Sequence, residues 1–212
     1  MTLLDRLRER RLLAIVRGTD APNTVAAIEV LVEAGIDLVE VSLTSRDALD
    51  AIKMAATAFG RSVSLGAGTV MTRDQANGAL DAGATFLVTP GLCAGGDEGV
   101  RLNVPVLMGA FTPTEVAAAI DRGATAVKLF PADLGGPAYL TALRAPFPDV
   151  PFLPVGGIDE GSADAFLRVG AVAVGVGSPL LGDAASGGDL AALAERAHSF
   201  RNAVTPAFGE PR

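Results

Sequence analysis

The sequence predicts an α/β protein: a (β/α)8 barrel with a short N-terminal helix, in one domain spanning 1–212. Three observations predict it. Eight short apolar, β-branched runs alternate with longer amphipathic runs, at roughly 20–25 residues per unit. One cassette recurs as EAGIDLVEV, DAGATFLVT, DRGATAVKL and RVGAVAVGV: a helix end, then a glycine, then a buried strand. The strand runs are apolar on both faces, as parallel strands covered by helices must be. The main rival is an open doubly wound sheet. Eight similar units without a long insertion favour closure.

The elements follow in order. A short helix is expected near 2–10, before the first strand LLAIVR at 12–17. Helix 22–34 carries Pro22 in its first turn, where a missing N–H is tolerated, and ends at Gly35, a fit for the left-handed closing position. Strand LVEVSL (38–43) leads to helix 46–59, and strand VSLGAG (63–68) to helix 72–82, closed by Gly83. Strand FLVTP (86–90) precedes helix 94–102. Strand PVLMGA (105–110) precedes helix 113–122, which opens on Pro113 and closes at Gly123. Strand AVKLF (126–130) precedes helix 136–145. Strand FLPVGG (152–157) precedes helix 159–169, which Gly170 closes. Strand VAVGVG (172–177) precedes the last helix, 188–204, and the Pro/Gly-rich tail TPAFGEPR is expected to fray.

Composition narrows the function. Half of the residues are apolar, enough for a sizeable core. A net charge of −7 argues against a general nucleic-acid surface, which needs clustered Lys and Arg. The single cysteine, Cys93, excludes an internal disulfide, and the single histidine, His198, reads as a surface residue of the last helix. That inventory poorly supplies structural zinc, His/Cys dyads and Ser–His–Asp triads. The N-terminus MTLLDRLRERRLLAIV has charges throughout and no long apolar stretch, and no run reaches a membrane span. A cytoplasmic protein without a membrane partner is the expectation.

The chain has two lysines. Lys53 lies in the mixed stretch ALDAIKMAA and reads as a helix-surface charge. Lys128 lies inside the apolar run ATAVKLFP. Taking an ammonium out of water is costly unless it is paired or loses its proton, and the neutral amine is a nucleophile for Schiff-base chemistry. Strand periodicity turns Val127 and Leu129 toward the helices and Lys128 and Phe130 toward the barrel axis. It likewise turns Val39, Val41 and Leu43 outward and Leu38, Glu40 and Ser42 inward. Glu40 and Lys128 therefore share the interior, where they can divide acid–base labour or form a structural ion pair.

Barrel sites gather at the C-terminal ends of the strands. Arg17 ends the first strand, Thr69 follows the third in GAGT, Pro90 ends the fourth, and Phe130 ends the sixth. Arg17 can fork onto a carboxylate or phosphate, or serve as a surface capping arginine. Thr69 offers a hydroxyl, with Gly66 and Gly68 letting a ligand approach the backbone. The turns after strands seven and eight carry Gly156 and Gly157, then Gly175, Gly177 and Ser178, a pattern that suits a phosphate.

The ordered set LAIVRG, GIDLVEVSL, LGAGTV, FLVTPG, AVKLFPA, LPVGGI and GVGSPL resembles the class I 2-keto-3-deoxy-6-phosphogluconate (KDPG) aldolases and their relatives acting on the 6-phosphogalactonate epimer. The resemblance runs from about residue 10 to residue 204. It implies that Lys128 is the Schiff-base lysine and Glu40 the general acid/base. Arg17, Thr69, Pro90 and Phe130 would line the pyruvyl end, and Gly157, Gly177 and Ser178 would hold the phosphate. It also implies a phosphorylated keto-acid substrate, no metal, no cofactor and a homotrimer. One position departs from the gluconate type. Those enzymes carry an arginine four residues after the glutamate, whereas this chain has Thr44 in EVSLT, as the galactonate type has a short polar residue. The galactonate series is therefore the first choice, and cleavage of the 6-phosphogluconate epimer or of 4-hydroxy-2-oxoglutarate is the alternative within the family. The rivals are a non-covalent sugar-phosphate barrel enzyme and a non-catalytic sugar-phosphate sensor.

Overall fold

A computed structural model describes residues 1–205; the tail beyond, including most of TPAFGEPR, lies outside the described residues. Eight strands run parallel in the order β7-β6-β5-β4-β3-β2-β1-β8. They are β1 (Leu12–Val16), β2 (Leu38–Ser42), β3 (Ser64–Gly68), β4 (Phe86–Val88), β5 (Val106–Ala110), β6 (Ala126–Leu129), β7 (Phe152–Pro154) and β8 (Val174–Val176). The ring closes between β7 and β8 through a parallel bridge, Val155 to Gly175, and through Val172 N–H donating to the Phe152 carbonyl at 3.0 Å. The closed barrel, rather than the open sheet, is what the eight even units require.

The helices are α1 (Leu3–Arg10), α2 (Ala21–Glu33), α3 (Ala48–Phe59), α4 (Arg73–Asp81), α5 (Ala94–Arg101), α6 (Pro113–Asp121), α7 (Gly136–Arg144), α8 (Glu160–Arg168), α9 (Ser178–Leu181) and α10 (Leu190–Val204). The expected boundaries agree to within two residues at every helix that periodicity identified. Local chemistry sets the ends. Thr72, Thr112 and Asp159 cap α4, α6 and α8 through their side chains. Gly35, Gly83, Gly123 and Gly170 take positive φ of 82°, 110°, 87° and 98° where helices hand over to strands. The short α9 and three 3-10 turns, at 60–62, 132–134 and 184–186, were not expected. None of the described helices is long and apolar enough to cross a membrane.

Two apolar layers result from the period of two along the strands. Val39, Val41, Val127, Leu129 and their equivalents pack outward against the helices. Leu13, Ile15, Leu38, Phe86, Val88, Leu107, Ala126, Leu153 and Val155 fill the barrel itself. Leu3 and Leu7 of α1 belong to this inner cluster. Arg6 and Arg10 hold α1 to Asp37, at the start of β2, through ion pairs of 2.9 Å each. Helix α1 thus closes the N-terminal end of the barrel, leaving the other end open to function.

Candidate active site

The open end is built from residues at or just past the C-terminal ends of the strands. Lys128 on β6 is 6% exposed and Glu40 on β2 is 1% exposed. Each is flanked in sequence by residues of the outer layer, so both side chains enter the barrel. Lys128 forms no ion pair among the described residues. Its ammonium nitrogen sits 5.4 Å from the centre of the Phe130 ring, a cation–π contact. The structural ion pair, one of the two readings open from sequence, is therefore not formed. Glu40 Oε2 is buried without a hydrogen-bond partner among the described residues. Burial pushes the Glu40 carboxyl above its ordinary value of 4.5, with the positive charges of Lys128 and Arg17 opposing that rise. A carboxyl so placed keeps its proton to higher pH than a free one and is placed to take part in proton transfer.

Glycines make the room. Across β2 and β3, Glu40 pairs with Gly66 and Ser42 with Gly68. The Glu40 carboxylate lies over Gly68, and the Phe86 ring lies over Gly66. The open backbone at Gly66 and Gly68 therefore receives neighbouring side chains, not the ligand that the sequence suggested. Gly109 on β5 pairs with Lys128, and the Pro90 backbone passes over it. Any side chain at Gly109 would collide with that loop, so the glycine brings Pro90 into the neighbourhood of Lys128.

Arg17 follows β1 with its side chain exposed at the rim. It does not cap a helix; Asp20 caps α2, and Arg17 donates Nε–H to Thr44 Oγ1 at 3.1 Å. Thr69 follows β3 in a left-handed conformation, φ 58°. Its Oγ1 lies 3.1 Å from Ser42 Oγ. Phe130 is 41% exposed, high for so large an apolar ring, and forms the lip over Lys128 beside Gly156.

The two glycine turns sit at the same end. Gly156 and Gly157 have φ of 101° and 67°, a backbone that side chains avoid. A Cβ at Gly157 would also approach Asp133 Cβ to 2.5 Å. Gly177 precedes Ser178, the first residue of α9. Gly175 does not belong to this turn. It is buried, and Val155 Cγ2 and Ile15 Cδ1 pack over it, so it shapes the interior. His198 is exposed and hydrogen-bonds to the Ala194 carbonyl, and Lys53 is exposed on α3, both as expected of surface residues. A cavity of about 290 Å³ behind the β2–α3 loop, lined by Leu43, Ser45, Asp47 and Gln75 among others, includes neither Lys128 nor Glu40 and does not locate the chemistry.

Sequence reasoning turned Ser42 inward and singled out Thr44, but missed the hydrogen bonds that join them to Arg17 and Thr69 and the closeness of Asp133 to Gly157. Ser42 carried a signal, an inward polar side chain two residues after an inward glutamate. The partners of the other two are set by contacts between loops, which no local pattern reports.

The model of a family of aldolases, "KDPG and KHG aldolase", matches residues 3–195. A probable 2-dehydro-3-deoxy-6-phosphogalactonate aldolase of Rhizobium meliloti is 34% identical over 187 residues, 86% of this chain and 87% of that protein. A 2-dehydro-3-deoxy-phosphogluconate aldolase of Pseudoalteromonas atlantica is 34% identical over 193 residues, 90% of this chain and 88% of that protein. Among solved structures, the KDPG aldolase from Legionella pneumophila, with pyruvate captured as a covalent carbinolamine intermediate, superposes with a TM-score of 0.86 at 25% identity, covering 94% of this chain and 98% of that one.

Proposed function

Because the chain belongs to the KDPG and KHG aldolase family of class I aldolases, we propose that it cleaves a 2-dehydro-3-deoxy-6-phosphoaldonate, of the galactonate series by first choice, to pyruvate and D-glyceraldehyde 3-phosphate. The observation that carries the reading is the joint burial of Lys128 and Glu40 inside the open end of the barrel. Relatives of both epimer types match at 34% identity, so identity does not choose the epimer. The choice of galactonate rests on Thr44, which stands where the gluconate type has arginine.

In this mechanism the Lys128 amine attacks the C2 ketone, and the carbinolamine loses water to give a protonated imine. Glu40 takes the C4 hydroxyl proton. The C3–C4 bond breaks, its electrons pass into the imine to form an enamine, and the aldehyde leaves. Glu40 returns the proton toward C3, and water then releases pyruvate from Lys128. Phe130 and Pro90 shield the enamine from premature side reactions. Arg17 and Thr69 hold the pyruvyl carboxylate, while Gly156, Gly157, Gly177 and Ser178 receive the phosphate at backbone N–H groups and a hydroxyl. The same reading has the enzyme work without metal or cofactor, as a cytoplasmic homotrimer.

The test is reductive trapping. Pyruvate and borohydride are expected to leave a mass-mapped adduct on Lys128 and none in Lys128→Ala. An adduct elsewhere removes Lys128 from its role. Parallel assays with both epimers decide the series, and faster cleavage of the gluconate substrate would reverse the first choice.

A further inference from the structure

Four polar side chains form one line across the rim of β1, β2 and β3. Arg17 Nε–H donates to Thr44 Oγ1 at 3.1 Å, Thr44 Oγ1 lies 2.8 Å from Ser42 Oγ, and Ser42 Oγ lies 3.1 Å from Thr69 Oγ1. A second tie joins the same two loops, where Gly18 N–H donates to the buried Ser45 Oγ at 3.1 Å. Ser42 is fully buried, so its hydroxyl depends on these neighbours for hydrogen bonds. Thr69 at the far end is β-branched yet left-handed, a costly conformation that persists only where its surroundings specify it.

We infer that Ser42 and Thr44 are positioning residues, and that the line is a one-way hydroxyl relay that makes the rim an all-donor site for a carboxylate. Arg17 fixes the sense at the head of the line: a guanidinium has no acceptor, so Thr44 accepts from Arg17. In the proposed relay Thr44 then donates its hydroxyl proton to Ser42 Oγ, which also accepts the Thr44 backbone N–H at 3.4 Å, and Ser42 donates to Thr69 Oγ1. The positive charge at the head polarises each hydroxyl in that sense. Two sets of donors are left facing outward. One is the Nη N–H groups of Arg17, which make no other hydrogen bond among the described residues; the other is the hydroxyl proton of Thr69. Only an acceptor satisfies both, and a planar carboxylate matches the guanidinium edge. Thr44 thus aims Arg17, supplied by the neighbouring strand, at the carboxylate.

The identity of this carboxylate, that of a 2-oxo acid, rests on the proposed aldolase function; the relay itself does not require Lys128. The experiment separates the two. Lactate has the carboxylate but no ketone, and its binding is followed by NMR shift titration in wild type, Thr44→Val, Thr44→Ser and Ser42→Ala. Imine trapping on Lys128 is compared for pyruvate and for acetone, which lacks the carboxylate. Thr44→Val and Ser42→Ala are expected to weaken lactate binding about tenfold and to lower the pyruvate-to-acetone trapping ratio by a similar factor, the effect of one lost hydrogen bond to a charged group. Thr44→Ser, which keeps the hydroxyl, is expected to restore both to within about twofold of wild type. Undiminished lactate binding in Thr44→Val overturns the relay, as does a Thr44→Ser variant no better than Thr44→Val, or a wild type that binds no lactate. If lactate discriminates as expected while no imine is trapped, the relay stands and the Schiff-base reading falls.

Discussion

The carboxylate of Glu40 rests directly on Gly68 of the next strand, so that even a methyl group at position 68 would occupy the space of Oε1. The glycine is not there for its backbone freedom, since Gly68 is absent from the positive-φ residues. It is there because a carboxylate on β2 can lean over β3 only where β3 has no side chain. Gly68→Ala is therefore expected to push Glu40 aside. A displacement of about 1 Å in a proton-transfer group costs on the order of 10²-fold in kcat, while the overpacking lowers stability by about 1–3 kcal/mol. Steady-state kinetics alongside thermal unfolding check this. A variant with wild-type kcat would mean that Glu40 does not need its present seat.

Leu7 offers the opposite test, a large effect on stability and none on chemistry. It is fully buried in the inner cluster at the closed end of the barrel, with Glu40 and Lys128 toward the other. Leu7→Ala is expected to cost about 2–4 kcal/mol in urea unfolding and to leave the kcat of the folded enzyme within about twofold. A collapse of kcat in folded protein would show that the two ends of the barrel are coupled.

How much of this could be read from the sequence depends on the range of the interaction. The positions of Glu40 and Lys128 followed from a period of two, because Val39, Val41, Val127 and Leu129 on either side could only face the helices. The barrel followed from repeated cassettes whose glycines close helices locally. By contrast, α9 is four residues long, too short for a 3.6-residue period to declare itself. The Arg17–Thr44 hydrogen bond spans 27 positions and depends on the register of β1 against β2, which no residue encodes alone. Gly66, Gly68 and Gly175 could be recognised as places of close approach. What approaches them, Phe86, Glu40 and Val155, became known only when neighbouring strands were in place.

Glu40 also predicts a pH dependence. Burial raises its carboxyl above 4.5, so over a window that begins near that value the native state holds a proton that the unfolded chain has released. Native stability from this group is full below the unfolded value and is lost as pH rises through the folded one. Glu40→Gln has no proton to lose. Its stability relative to wild type is expected to grow as pH rises above the ordinary carboxyl value of 4.5, measured as urea midpoints. A pH-independent difference would show that Glu40 titrates alike in both states. In the same variant, aldol cleavage is expected to slow by about 10²–10⁴-fold while some pyruvate imine can still be trapped.

Gly157 provides the test of the phosphate end. Its φ of 67° already disfavours a side chain, and a Cβ there would come within 2.5 Å of Asp133 Cβ. Alanine must therefore either move the turn or push Asp133, and both alter the backbone N–H groups proposed to meet the phosphate. A substrate without phosphate, such as 4-hydroxy-2-oxoglutarate, does not use those groups. Gly157→Ala is expected to lower kcat/KM for the phosphorylated substrate, relative to that for 4-hydroxy-2-oxoglutarate, by about tenfold or more, chiefly through KM, as the loss of one or two hydrogen bonds to an anion requires. An equal fall for both substrates would place the damage at the imine, where Gly156 touches Phe130, and would remove this turn from phosphate recognition.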